Sequence, residues 1–403
     1  MIEDPSAGIG ELTRERPAAV TGLRVALLYN LKENAPLAGV KTTKDTFDEL
    51  DSIENVRAYA AAIEAAGHTV VPLEGDGRLV GELKRRKIDV CFNTCEGFQG
   101  DAREAQVPGL LEMLGIPYSA GRATAMTITL DKALTKRVLA SHSLPTPHFQ
   151  EFVNLDDPLD PTLTFPLFVK PNREGTAMGI TEKSLVKNIT ELRARVAYLL
   201  DAYDQRVLVE EYIPGREVTC GLVGNLPRDA AFAPIPAAEL LSTDNLGVGW
   251  NGMHVFPISE LDFSGYPSGT EHFYSHKLKV ELAAEDYHSH CPAPLPDTIA
   301  AEVRRLAIET FRATRCFDLC RVDFRLDERN GLQPQILEIN ALPGLNTTSD
   351  IVLCAEAEGW THADVVVAVL DAAIERHALV SMPARKRKER RRIPERVIRP
   401  VSA

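Results

Sequence analysis

Cys320-Arg321-Val322-Asp323-Phe324-Arg325-Leu326-Asp327-Glu328-Arg329-Asn330-Gly331-Leu332-Gln333-Pro334-Gln335-Ile336-Leu337-Glu338-Ile339-Asn340-Ala341-Leu342-Pro343-Gly344 reads as two strands joined at Asn330-Gly331. Asn-Gly is a strong hairpin signal, because both central residues of a type I′ turn need positive φ. With those two as the loop, Arg329 faces Leu332, Asp323 faces Glu338 and Arg321 faces Asn340. Side chains alternate along a strand, so Arg321 and Asp323 share a face, as do Glu338 and Asn340. Asp323 and Glu338 are then directly opposed, and like charges there are destabilising unless a cation lies between them. Two carboxylates and an amide oxygen, with no Cys or His, make a hard-oxygen site suited to Mg²⁺ or Mn²⁺.

The chain around this hairpin has 403 residues, 44% of them hydrophobic and 25% charged, as expected of a globular protein of two or three domains. A net charge of −12 argues against nucleic acid as the main partner. No apolar run is long enough to span a bilayer, and the N-terminus lacks the apolar segment of a signal peptide. Seven scattered Cys fit a reduced cytoplasm.

Residues 1–22 read as a disordered leader. Residues 23–122 alternate strands (Arg24–Asn30, Val70–Leu73, Ile88–Asn93, Ile116–Ser119) with helices (Asp51–Gly67, Glu82–Lys87, Ala105–Leu114), which predicts a parallel α/β domain. Asp51 with Glu54 resembles a capping box. A second domain, 123–221, holds a helix over Thr124–Ser141, a strand over Phe165–Lys170, a polar glycine loop over Pro171–Ile180, a helix over Glu191–Leu200 and strands at Arg206–Ile213 and Arg216–Val223. A third, 222–380, holds the long aperiodic segment Asn225–Pro296, a helix at Asp297–Arg315, the hairpin and a closing helix at Thr361–Arg376. Residues 381–403 form a basic tail, read as disordered, with contact to acidic partners, nucleic acid included, as the minority reading.

Lys132 and Lys170 are placed to hold a nucleotide. A lone Lys is more often a snorkelling surface residue, but Lys170 ends the nearly apolar strand Phe-Pro-Leu-Phe-Val-Lys and precedes a glycine loop. Gly175 and Gly179 allow backbone N–H groups to approach a phosphate. The loop is not a Walker P-loop. Acids at the strand end Val207–Glu211 can accept from an adenine amino group or a ribose hydroxyl, though such acids are commonly just solvated. Cys91-x-x-x-Cys95 and Cys316-x-x-x-Cys320 read as structural thiols, His288-Ser289-His290 as an incidental pair, and no Gly-x-Ser-x-Gly elbow supports a hydrolase.

Together these motifs resemble the ATP-grasp enzymes of the D-alanine–D-alanine ligase type over about Arg24–Arg376. The resemblance rests on Leu130-Asp131-Lys132 with Thr135-Lys136, on Phe165–Ile180, on Val207–Thr219, and on Arg321-Val322-Asp323 with Glu338–Gly344. It implies an ATP-grasp α/β fold: a three-domain ligase with an N-terminal parallel α/β domain and two α+β domains sandwiching ATP. It also implies that Lys132 and Lys170 hold phosphates with Gly175 and Thr176 of the glycine loop. Glu210, Glu211 and Ile213 would face adenine and Glu217 the ribose. Asp323, Glu338 and Asn340 would bind two Mg²⁺ (or Mn²⁺) ions, and Arg321 would stabilise the transferred phosphoryl group. Lys279 falls on the family's closing loop and Ser349 on its substrate loop. The implied reaction activates a small, amino-acid-like carboxylate as an acylphosphate, which an amine displaces, releasing ADP and phosphate. Homodimer assembly stays open.

The substrate end departs from the pattern. Tyr29–Asn34 carries Glu33 without the family's glycines, Glu96 stands at a histidine near Asp101 and Glu104, Val280 stands at the lid tyrosine, and Trp250, His254 and Tyr266 lengthen the lid. This favours amide-bond formation in peptide or natural-product assembly. The alternatives are a D-alanine–D-alanine ligase of cell-wall synthesis, an ATP-grasp phosphotransferase and a non-catalytic nucleotide-binding regulator.

Overall fold

Arg24–Tyr29 (β1), Thr69–Glu74 (β2) and Val90–Asn93 (β3) form a parallel sheet in the order β2-β1-β3. The computed structural model describes residues 20–36, 43, 45–227, 233–242, 246–263, 273 and 289–379. Val25–Leu28 is wholly buried, the mark of a strand covered on both faces. Helices Ile53–Ala65 (α1), Leu79–Arg85 (α2) and Gln106–Leu114 (α3) accompany this sheet. α1 buries Val56, Tyr59 and Ile63, each contributing about 1.5–3 kcal/mol of apolar burial. The cap expected at Asp51 is corrected: Ser52 caps α1, its Oγ accepting from Asn55 N–H at 3.2 Å. Asp51 instead accepts from Thr94 at 2.7 Å and Tyr59 at 3.3 Å. The strand expected at Ile116–Ser119 is a single bridge from Tyr118 to Cys91.

Thr124–Ser141 is two helices, not one: Ala123–Leu130 (α4) and Lys132–Ser141 (α5). Asp131 leaves helical backbone (φ −88°, ψ 101°), and its carboxylate accepts from Leu134 N–H at 2.8 Å, capping α5. Phe149–Phe152 (β4), Leu167–Pro171 (β5), Leu185–Val186 (β6) and Val207–Glu211 (β7) form an antiparallel sheet in the order β4-β7-β5-β6, packed on helix Ile189–Tyr203 (α6).

The third sheet is built on Gly215–Gly224 (β8). It adds Val248–Trp250 (β9), Met253–Val255 (β10), Ser259–Leu261 (β11), Ser289–His290 (β12), Leu319–Asp327 (β13) and Gln333–Asn340 (β14). β8 pairs with β13 from Gly215↔Asp327 to Val223↔Leu319, so the chain changes sheet at Tyr212–Pro214, ahead of the expected boundary at Gly221. Asp297–Thr314 (α7), Asp350–Glu356 (α8) and His362–Arg376 (α9) complete the fold. β9, β10 and β11 belong to this sheet, which corrects the reading of Asn225–Pro296 as an aperiodic segment. Trp250 is buried and donates to Glu239 at 2.9 Å, while His254 pairs with Glu358 at 2.5 Å and stacks on Trp360. Lys279, Val280, Tyr266 and His288 lie outside the described residues.

The β13–β14 turn is also longer than Asn330-Gly331. A helical turn at Glu328–Asn330 leads into Gly331 and Leu332, both at positive φ (63° and 64°). This puts Phe324 opposite Ile336, one residue out of the expected register. A bulge at Leu337 shifts it back, so Asp323 faces Glu338 and Arg321 faces Asn340. The first sheet is set against the third by the buried Arg376–Asp318 pair (2.6 Å), with Arg376 also donating to the Tyr118 carbonyl at 2.7 Å. Among the described residues no helix is long and apolar enough to cross a membrane.

Candidate active site

Between the second and third sheets lies a cleft that brings together Lys132, Lys170, Thr176, Glu210, Glu211, Ile213, Glu217, Arg321, Asp323 and Glu338. A second cavity, walled by the first domain, holds Gly175, Asn340 and Ser349. Lys132, Glu174, Thr176, Arg321 and Asp350 line both, so the two spaces meet at a pair of cations. Glu33, set apart in the sequence by the missing glycines around it, lies exposed and lines neither.

Lys132 opens α5, where a cation opposes the helix dipole. Its ammonium is held by the Glu174 carbonyl at 2.5 Å and Glu338 at 3.2 Å. Lys170 and Lys136 grip the two oxygens of Glu210 from opposite sides, each at 2.7 Å. The three side chains are buried. Burial lowers the Lys136 pKa despite Glu210, whereas Glu210 and Glu338 outweigh burial at Lys170 and raise it. Glu210 was expected to face adenine; both of its oxygens are engaged by these lysines.

Arg321 donates to Asp323 through Nε (2.9 Å) and Nη2 (2.8 Å), and its Nη1 reaches Asp350 at 3.2 Å. Thr219 Oγ also donates to Asp323. Burial opposes ionisation of Glu338, but Lys132, Lys170 and Arg321 hold its carboxyl down at about 2. A carboxyl depressed from 4.5 contributes stability that is complete above pH 4.5 and is lost as pH falls towards 2. In nucleotide-free, metal-free protein, the stability advantage of wild type over Glu338→Gln should therefore shrink on acidification from pH 4.5. A gap in urea unfolding that stays constant down to pH 3 would refute this.

Arg325 was missed, although it continues the Arg321–Asp323 face by one more alternation. Its buried guanidinium donates to the Ile213 carbonyl (3.0 Å), Glu217 (3.0 Å) and the Tyr212 hydroxyl (3.2 Å), organising the hinge between the sheets. The bulged Leu337 joins Phe168 and Phe273, themselves edge-to-face at 5.0 Å, in lining the cleft with apolar surface. In the glycine loop, Thr176 (φ 47°) and Ala177 (φ 55°) are both left-handed, at about 1–2 kcal/mol each. Their N–H groups have no partner among the described residues.

The second cavity is acidic. Burial pushes Asp51 up to about 6 against hydrogen bonds from Thr94, Asn55 and Tyr59. Burial likewise lifts Glu104 to about 7, and burial with Glu104 and Glu49 as neighbours raises Glu96. Ser349 precedes α8 without capping it by its side chain; its hydroxyl donates to the Asn346 carbonyl at 2.8 Å. All seven cysteines are free thiols, and six are buried.

A family model for the D-ala D-ala ligase C-terminus matches residues 138–235 and 238–371. An uncharacterized protein of Sinorhizobium fredii, y4sG, is 33% identical over 328 residues, covering 79% of this chain and 87% of that protein. The D-alanine–D-alanine ligase of Bordetella petrii is 29% identical over 368 residues, 90% of this chain and 95% of its own. The crystal structure of D-alanine–D-alanine ligase from Bacillus anthracis complexed with ATP shares the fold, with a TM-score of 0.64 over 89% of this chain and all of that one, at 21% identity. Fold and cleft define an ATP-grasp enzyme. The chain belongs to the D-alanine–D-alanine ligase family, and it is an ATP-dependent ligase that forms a C–N bond.

Proposed function

We propose that this enzyme activates a small amino-acid-like carboxylate with ATP and joins it to an amine, with D-alanine, named in its relatives, as the first substrate to test. The observation that carries this is the junction of the two cavities at Lys132 and Arg321. A terminal phosphate reaching out of the first space meets a carboxylate lying in the second between two cations. Transition-state charge on the phosphoryl oxygens is stabilised there without reorganisation. Lys170 and the amides of Thr176 and Ala177, unpaired among the described residues, hold the phosphates, Glu217 the ribose, and the Glu211–Ile213 hinge with Phe168 and Leu337 the adenine. The acids of the second cavity suit substrates that carry an ammonium group.

Asp323, Glu338 and Asn340 fit divalent cations by their chemistry. They are hard-oxygen donors on one face of a hairpin, and the Asn340 amide has no hydrogen bond among the described residues. Only two of the three are carboxylates, so phosphate oxygens and water must complete any coordination shell. Two Mg²⁺ or Mn²⁺ ions there would neutralise the phosphate charge that develops during transfer. The carboxylate attacks the γ-phosphate, ADP leaves, the amine attacks the acylphosphate carbon, and phosphate departs. Lid closure over the junction, with Lys279 as a candidate on the lid, keeps water from the acylphosphate, and Ser349 is the candidate on the substrate loop. The free thiols and the use of ATP support a cytoplasmic setting.

A phosphate-release screen over carboxylate–amine pairs, D-alanine alone included, tests the reading. Phosphate release that depends on the amine and yields an amide is expected. Phosphate retained on the product would make the enzyme a phosphotransferase and sink the ligase reading.

A further inference from the structure

Two carboxylates of the first domain reach across to the glycine loop of the second. Glu49 accepts from Gly175 N–H at 2.5 Å, and Asp45 accepts from Gly179 N–H at 2.9 Å. These two contacts bracket Thr176 and Ala177, the strained left-handed pair whose amides point to no protein acceptor among the described residues. Each carboxylate is itself anchored. Arg103 Nη2 donates to Glu49 at 2.8 Å while its Nη1 donates to the Arg173 carbonyl at 2.7 Å. The Tyr203 hydroxyl donates to Asp45 at 2.9 Å. Burial opposes ionisation of Asp45, yet hydrogen bonds from Thr43, Gly179 and Tyr203 hold its carboxyl below the ordinary value.

The close fit leaves little slack. A Cβ on Gly175 would lie 2.2 Å from Glu49 Oε1, and one on Gly179, at φ 72°, would lie 2.6 Å from the Pro171 ring. Gly175 lines the second cavity, whereas Ala177 lines the nucleotide cleft. Glu49 therefore holds the loop from the side of the second cavity, which it lines with Gly175, while Asp45 and Gly179 line neither space, so the face towards the first cleft is left open to the phosphates. Left-handed backbone at two successive non-glycine residues persists only where surrounding contacts impose it.

We infer that Asp45 and Glu49 are positioning residues that hold the phosphate-gripping loop in its strained form and so couple the substrate domain to nucleotide binding. This rests on the reading of the first cleft as the ATP site. Neither residue lines the first cleft; each acts through the loop backbone.

The test compares Glu49→Gln, which keeps an acceptor oxygen, with Glu49→Met, which keeps the length and lacks one, alongside Asp45→Ala. ATP affinity is read by calorimetry without second substrate, and amide exchange is followed across residues 175–179. A hydrogen bond to a charged group lost from the bracket should weaken ATP binding about tenfold in Glu49→Met and Asp45→Ala. Exchange at Gly175 and Gly179 should accelerate, and Glu49→Gln should recover most of the affinity. Wild-type affinity in Glu49→Met would overturn the proposal. Tighter ATP binding would also overturn it, showing that Glu49 competes with phosphate. If Glu49→Met does not fold, equal affinity and exchange in wild type, Glu49→Gln and Asp45→Ala would overturn it instead. Failure of wild type to bind ATP would count against the assignment of the cleft, not against the bracket.

Discussion

Replacing Asp323 by alanine should slow ATP-dependent phosphate release about a thousandfold, roughly 4 kcal/mol of barrier, while the protein stays folded. Asp323 carries two duties on one carboxylate. Its oxygens take both Nε and Nη2 of Arg321, which fixes the plane of the guanidinium at the junction of the cavities. Asp323 also stands opposite Glu338, and under the proposed function its oxygens would be donors to a divalent cation. Removing the side chain loosens the arginine and halves the carboxylate charge of the site together. Stability suffers less, because Arg321 keeps Asp350 at 3.2 Å and its charge is not stranded. Asp323→Asn retains an acceptor for Arg321 but not the charge, so it should fall between wild type and the alanine variant. Steady-state phosphate release and thermal melting by circular dichroism check both points. Wild-type turnover in Asp323→Ala would remove Asp323 from the site.

The pairing of Asp323 with Glu338 was legible because alternation along a strand is local and strict, and the geometry returned it by an unexpected route. The longer turn moved the register by one residue and the bulge at Leu337 moved it back. A bulge has no composition of its own in a run such as Gln-Ile-Leu-Glu-Ile, so Leu337 could not be placed in the cleft from sequence. Asp131 looked like an interior helical residue because its capping bond runs forward to Leu134, a choice between two local minima that spacing alone does not settle. Asp45 and Glu49 were invisible for another reason. Their partners are backbone amides well over a hundred residues away, and a backbone N–H leaves no trace in a side-chain pattern. Glu33 agrees with the departure read from its segment: without the family's glycines, that segment turns outward to solvent.

Replacing Glu210 by alanine should cost about 3–5 kcal/mol of stability, the penalty of breaking a buried ion pair from one side. Lys136 is wholly buried, and the Lys170 and Glu210 side chains are 5% and 3% exposed. Without Glu210, two ammonium groups face each other with Thr146 at 2.8 Å from Lys136 and the more distant Glu338 charge near Lys170. Both lysine pKa values must then fall, since desolvation and mutual repulsion act in the same direction. The sign of the pH dependence follows. A lysine whose folded pKa lies below its unfolded 10.5 destabilises the fold most where it is forced to stay charged, so the variant should regain stability as pH rises towards 10. Urea unfolding at pH 7 and pH 9 should thus show a deficit that narrows at the higher pH. Under the proposed function ATP should protect the variant more than wild type, because a triphosphate held by Lys170 would supply the missing negative charge. Glu210→Leu combined with Lys136→Met removes one cation with its counter-ion, and should recover much of the lost stability, as apolar replacements of buried pairs do. A Glu210→Ala protein within 1 kcal/mol of wild type at pH 7 would show that the lysines find other partners, and that Glu210 is present for the nucleotide and not for the ammonium groups it separates.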